Sequence, residues 1–172
     1  MTRASIISSL LLFSLATTLS AQDLAELERR NGFKDLKLGT LIDSVKGAEF
    51  QKEVREKNEF PAKLYEVHND NYKHIGEVKV KSVEVKTYKD LVYEIIVITH
   101  KDTRLMKGMT KSFGQPKYIL TTDTYNWLGE SLSLTFKDYS KHEIKLTYRS
   151  FPVIKMMFAD KGKKIDAIAE DF

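Results

Sequence analysis

The chain has 172 residues, with 28 Lys and Arg against 24 Asp and Glu and no cysteine. Lys and Glu alternate along most of it, which argues against a nucleic-acid binder, since such proteins gather excess positive charge on one face. The missing cysteine excludes disulfides, thiol catalysis and lipid attachment through an N-terminal Cys, and export without cysteine fits a bacterial envelope.

The first residues read as a secretory signal. Arg3 supplies the positive start, residues 6–16 a short apolar run, and Thr17, Thr18, Ser20 and Ala21 the small and polar residues that a signal peptidase accepts. The reading is a signal peptide over 1–21 cut after Ala21; Leu19, three residues before that cut, leaves a cut after Ser20 open. Removing Arg3 with the leader leaves 27 basic and 24 acidic side chains, a net charge of +3. The expected product is one α+β domain over 22–172, periplasmic or secreted and without a membrane anchor, because no later apolar stretch is long enough to span a bilayer.

Leu24 and Leu27 predict a short first helix that stops at Asn31-Gly32, followed by extended chain over 33–38. Gly39-Thr40 then predicts a second helix, capped by Thr40, with Asp43 in its first turn and Leu41, Ile42 and Val45 on its apolar face. Gly47 weakens it, and 49–59, with only Phe50 and Val54 on one side, is a marginal continuation up to Pro61. From there the period changes to alternation. A short strand is expected over 63–67, then a polar loop over 68–74. Val78 and Val80 share one phase and Val83 and Val85 the other, so either one strand bulges near Lys81-Ser82 or two strands meet there. After a tight turn at 88–90, the run LVYEIIVIT over 91–99 is apolar on both phases and predicts a central strand covered on both faces.

Leu105, Met109 and Phe113 recur at four-residue steps and predict a helix over 102–113, stopped by Gly114 and Pro116. Leu132, Leu134 and Phe136 alternate with polar residues, as do Ile144, Leu146 and Tyr148, which predicts a hairpin around a loop over 137–141 with one face open to solvent. Pro152 starts a closing helix that Gly162 is expected to break, and Ile165, Ile168, Ala169 and Phe172 form a last apolar stripe. The fold class is therefore α+β: an antiparallel sheet with helices mainly on one face, built from two units of a helix and three or four strands.

In layout this resembles the beta-lactamase inhibitor protein-like fold and the small outer-membrane assembly lipoproteins related to it, on Leu38-Gly39-Thr40 with Val45, then Gly114-Gln115-Pro116 and Tyr125-Asn126-Trp127. The acylated Cys of those lipoproteins is missing. The mature chain also resembles a group of small secreted bacterial proteins of unknown function with a Gly-Phe-x-x-Leu/Ile-Lys-x-Gly opening, here Gly32-Phe33-Lys34-Asp35-Leu36-Lys37-Leu38-Gly39. That resemblance implies a fold and no activity.

No nucleophile elbow, Ser-x-x-Lys spacing, phosphate loop or dinucleotide fingerprint can be written in this chain, so no cofactor is expected. Aromatic residues gather in the second half. Tyr125, Trp127 and Tyr139 are the candidate binding residues, since exposed rings stack on sugars or hold a partner's side chains, and the leading function is non-catalytic binding of an envelope protein or glycan through an open sheet face. The alternative is a metal-dependent hydrolase in which His68, Asp70 and His74 converge on a divalent ion, although their spacing matches no zinc motif. Glu94, a carboxylate in an apolar strand, is expected to pair with a Lys of the neighbouring strand over 78–86 rather than act as an acid.

Overall fold

A computed structural model of the protein describes residues 18–56 and 60–170, with side chains from Leu24 onward. The apolar run of the expected leader and Phe172 of the last stripe lie outside the described residues. The elements run α1 (Thr18–Arg30), β1 (Gly32–Phe33), β2 (Leu36–Lys37), β3 (Ala48–Glu56), β4 (Phe60–Val67), β5 (His74–Ile75), β6 (Val78–Tyr88), β7 (Leu91–His100), α2 (Thr103–Phe113), β8 (Lys117–Ile119), β9 (Thr124–Leu128), β10 (Leu132–Ser140), β11 (Glu143–Ser150) and α3 (Phe151–Ala169). One large antiparallel sheet has the order β3-β4-β6-β7-β11-β10-β9-β8, with β5 paired to the start of β6 and β1-β2 forming a separate small ladder. The protein is α+β, with α1 and α2 on one face of that sheet and α3 on the other.

The order is that of two meanders laid side by side. Each unit contributes four strands, and the last strand of one, β7, pairs with the last strand of the other, β11. The seam between them is the middle of the molecule. Val92, Ile95 and Val97 point to the side of α1 and α2, where they meet Leu27, Leu105, Phe113, Leu134 and Leu146 in the main core. A smaller cluster of Phe60, Ala62, Tyr88, Tyr93, Val153 and Met157 lies under α3 on the opposite side. Both faces of β7 are thus covered at its start, as an apolar run without alternation requires.

The local signals explain most element ends. Asp102 accepts from the backbone N–H of Arg104 at 2.8 Å and starts α2, and Gly114 at φ 77° stops it. Ser150 caps α3, with Pro152 in the first turn. The phase change in β6 is a bulge, with register shifting between Val80 and Ser82, and a second shift occurs between Lys86 and Thr87. Gly32 at φ 141° has no room for a side chain, because a Cβ there would lie 2.2 Å from the Leu36 carbonyl oxygen.

Four expectations need correction. The helix opening at Thr40 is only a 3₁₀ turn, Ile42–Ser44, and the Thr40 hydroxyl donates to the Lys37 carbonyl at 2.8 Å instead of capping. The marginal helical continuation is β3, an edge strand of which six of nine residues are exposed and none is fully buried, so no apolar period marks it. Pairing there leaves Pro61 inside β4, tolerated because β6 joins β4 only from Lys63 onward. The expected loop over 137–141 is largely strand, β10 continuing through a bulge to Ser140. Gly162 does not break α3, where a Cβ would meet nothing within 4 Å.

Because Ile95 is fully buried at the seam, Ile95→Ala is expected to lower the unfolding free energy by about 2–5 kcal/mol, while Lys145→Ala on the opposite, wetter face changes it by no more than about 0.5 kcal/mol. Urea titration followed by tryptophan fluorescence compares the two.

Candidate functional site

The aromatic candidates separate. Trp127 is 1% exposed: its ring packs edge-on against Phe113 at 6.4 Å and its Nε1–H donates to the Gly114 carbonyl at 2.8 Å, tying β9 to the end of α2. It is a core residue and is withdrawn as a contact for a ligand. Tyr125 shares its phase, as expected, and lies on the helix-bearing face at 38% exposure, 4.8 Å from Tyr118 and 6.2 Å from Phe136. Tyr139 lies on the other face, exposed, with the Lys145 ammonium 6.0 Å from its ring centroid. Tyr125 and Tyr139 therefore form no common platform.

The loop after β4 does not gather a metal site. Asp70 is held by Lys73 at 2.7 Å, which pulls its carboxyl below the ordinary value, and His68 Nε2 lies 3.7 and 3.8 Å from Glu49 and Glu66. His74 sits exposed in β5. Among the described residues no group of three or more His, Cys, Asp or Glu side chains is placed to hold a metal ion, and the expected convergence of His68, Asp70 and His74 is corrected on that ground. The loop residues serve turns instead, Asn69 accepting from the Asn71 N–H at 3.0 Å.

Glu94 is paired as expected, and more fully. Only 2% exposed, it meets Lys86 Nζ of β6 at 3.0 Å through one oxygen and accepts from Arg149 Nε of β11 through the other. Lys86 also reaches Glu56 at 2.5 Å, and the Tyr93 hydroxyl donates to Glu56 at 3.0 Å. Two carboxylates and two cations thus cross four strands. Burial works to raise the Glu56 carboxyl, but the Lys86 ammonium overrides it and holds the group below its ordinary 4.5. For Lys86 burial works downward, and Glu94 with Glu56 holds it above 10.5.

No protein-family model, curated protein or solved structure matches this chain.

Two surfaces remain, one on each side of the sheet. On the face away from α1 and α2, the strand positions of β8–β11 are Lys117, Ile119, Thr124, Asn126, Leu128, Ser133, Thr135, Lys137, Tyr139, Lys145, Thr147 and Arg149, with Glu143 as the one carboxylate of the described positions there, bound to Lys81 and Ser140. The cluster under α3 includes no residue of these four strands. Thr135 donates to the Asn126 side-chain carbonyl at 2.7 Å, which orders this surface without covering it. On the opposite face a cleft of about 570 Å³ opens between β1, the turn before β6, and α2. Sequence reasoning missed the cleft because its walls come from residues near 33, 77, 108 and 148 that only the topology brings together.

The charge network generates two expectations. Lys86→Met is expected to destabilise more than Glu94→Leu, because losing a cation strands a buried carboxylate whereas an apolar replacement removes the buried charge itself; denaturant titration reads the order. For pH, the Glu56 contribution is present above the unfolded value of 4.5 and lost as pH falls through its depressed folded value. The Lys86 contribution is present below 10.5 and lost as pH rises through its raised value. Melting temperatures across pH are therefore expected to fall at both ends, and Glu56→Gln flattens the acid limb relative to wild type.

Proposed function

We propose that the protein is an exported, non-catalytic binding module of a bacterial envelope, and that its working surface is the open face of β8–β11, which receives an acidic patch of another protein. The observation that carries this reading is the composition of that face: Lys117, Lys137 and Lys145 stand among hydroxyls, an amide and the exposed Leu128 and Tyr139, while Arg149 is bonded to Glu94 and Glu143 to Lys81. Opposite charge steers association and fixes register, while Ser, Thr and Asn supply hydrogen bonds at low desolvation cost. Beside them on the same face, Ile96 and Ile98 of β7 pair with Thr147 and Lys145 and are themselves buried, and the surface is carried by paired strands and not by a loop. A glycan is supported less, because sugar stacking needs rings and this face offers Tyr139 without Trp127 or Tyr125. Export rests on Arg3, the apolar run 6–16 and the small residues up to Ala21. Leu24 and Leu27, which dock α1 on the core, follow the expected cut and survive it. No helix among the described residues is long and apolar enough to cross a membrane.

Immobilised protein incubated with envelope extract from its host is expected to retain a partner that is lost in about 0.3 M salt and on prior proteolysis of the extract, but kept after periodate oxidation of its sugars. The double variant Lys137→Glu, Lys145→Glu loses that capture, and the control Lys46→Glu, Lys107→Glu keeps it. Capture that persists in the first double variant, or that follows the sugars and not the protein, overturns the reading. Intact-mass measurement on the periplasmic and secreted fractions tests the export: an N-terminus at Gln22 or Ala21 is expected, and an uncut Met1 in membranes refutes it.

A further inference from the structure

The cleft on the helix-bearing face is built to take a ligand of a different kind from the open face. Its floor is apolar, with Phe33 from β1, Leu105, Met109 and Phe113 from α2, and Leu146 from β11. Tyr148 is set among them. The residue as a whole is 6% exposed, but its hydroxyl, which makes no hydrogen bond within the described residues, is not one of the fully buried polar atoms and opens toward the cleft. A phenol donor that reaches an otherwise apolar cleft is placed to bond an acceptor carried by a ligand. Burial pushes its phenol up from the ordinary value, with the neighbouring Arg30 charge working against that, so at neutral pH it is a donor.

The rim adds the charge. Of the three cations there, Lys34 donates to the carbonyls of Asn71 and His74, and Arg104 is held by Asp102 and Glu77. Arg30 differs. Its Nε–H bonds Glu26 at 2.6 Å and its guanidinium lies 5.2 Å from the Phe113 ring centroid, which leaves the terminal N–H groups without a partner among the described residues. Glu77, the one carboxylate lining the cleft, is neutralised by Arg104. Gly108 on the α2 wall leaves open space where a side chain would stand.

We infer that this cleft binds a small amphipathic carboxylate, of the kind a medium-chain fatty acid represents, with its carboxylate between the Arg30 guanidinium and the Tyr148 hydroxyl and its apolar body along Leu105, Met109 and Phe113. A volume of about 570 Å³ lies in the usual range for small-ligand sites, in which an apolar lining supplies affinity and a few polar groups fix orientation. A guanidinium donates to a carboxylate through two N–H groups and the tyrosine adds a third bond, so an uncharged or cationic head satisfies the site poorly. The ligand is a free monomer, because a bilayer would have to admit Lys34 and Arg104 to reach the floor.

The test is calorimetric titration of the purified protein with sodium decanoate below its micelle concentration at pH 7.5, with decanol and decyltrimethylammonium as controls and methyl NMR of Met109 as a second readout. One-to-one binding with a dissociation constant of the order of 100 μM or tighter is expected, together with a shifted Met109 methyl. Tyr148→Phe removes a hydroxyl without a protein partner, so it folds and weakens decanoate roughly tenfold; Arg30→Met weakens it by at least as much. Gly108→Leu improves helix propensity while filling the cleft, so a more stable protein that no longer binds is the expected outcome. No binding by wild type, equal binding of decanol, or undiminished binding in Gly108→Leu overturns the inference.

Discussion

The buried carboxylate of Glu94 at the seam between β7 and β11 is the constraint around which the molecule is arranged. Within an otherwise apolar strand this group is tolerable only if cations stand on both neighbouring strands, and Lys86 and Arg149 occupy the two positions directly opposite it. Slipping either pairing by one residue would turn those cations to the other face and leave the charge alone in the core. The network therefore fixes the register of both units against each other, where hydrophobic alternation alone would not: β7 is apolar on both faces and carries no phase of its own.

From that seam the two faces diverge. Successive residues of β11 serve opposite sides, Leu146 and Tyr148 entering the main core and the cleft while Lys145, Thr147 and Arg149 stand on the open face. A single strand at the middle of the sheet thus contributes to both surfaces. The asymmetry arises from the helices: α1 and α2 lie side by side over one face, and α3, returning directly from β11, covers only the other face near Phe60, Tyr88 and Tyr93.

Local chemistry made much of this legible in the sequence. The cap at Asp102, the stop at Gly114, the bulge near Lys81-Ser82, the central strand and the Glu94–Lys86 pair all follow from residues within one element or its neighbour. What the sequence hid depends on distant partners. β3 has no apolar face because it lies at the sheet edge, so its identity comes from pairing with β4 and not from burial. The alternation of β9 does not by itself say whether Trp127 faces solvent, and it is the end of α2 beside it that covers the ring; Gly162 carries no penalty that the rest of α3 does not absorb. The polar loop bearing His68, Asp70 and His74 has the composition of a ligand set, but its side chains serve local turns and ion pairs. The cleft illustrates the same limit, its Tyr148 appearing in sequence as one more inward position of an alternating strand.

The two outer strands complete the picture. β3 presents Glu49, Lys52, Glu53, Arg55 and Glu56 along its length, and β8 is three residues long and follows Pro116. Both ends of the sheet are thereby poor templates for a further strand, one through charged, strongly hydrated side chains, the other through brevity and a missing N–H donor. A sheet that exposes a broad, stiff face is ordinarily at risk of stacking into fibrils once chains are concentrated, and the growth of such assemblies needs a receptive border. Here the border is closed, so a wide surface can stay uncovered in a crowded compartment without recruiting copies of itself into a polymer.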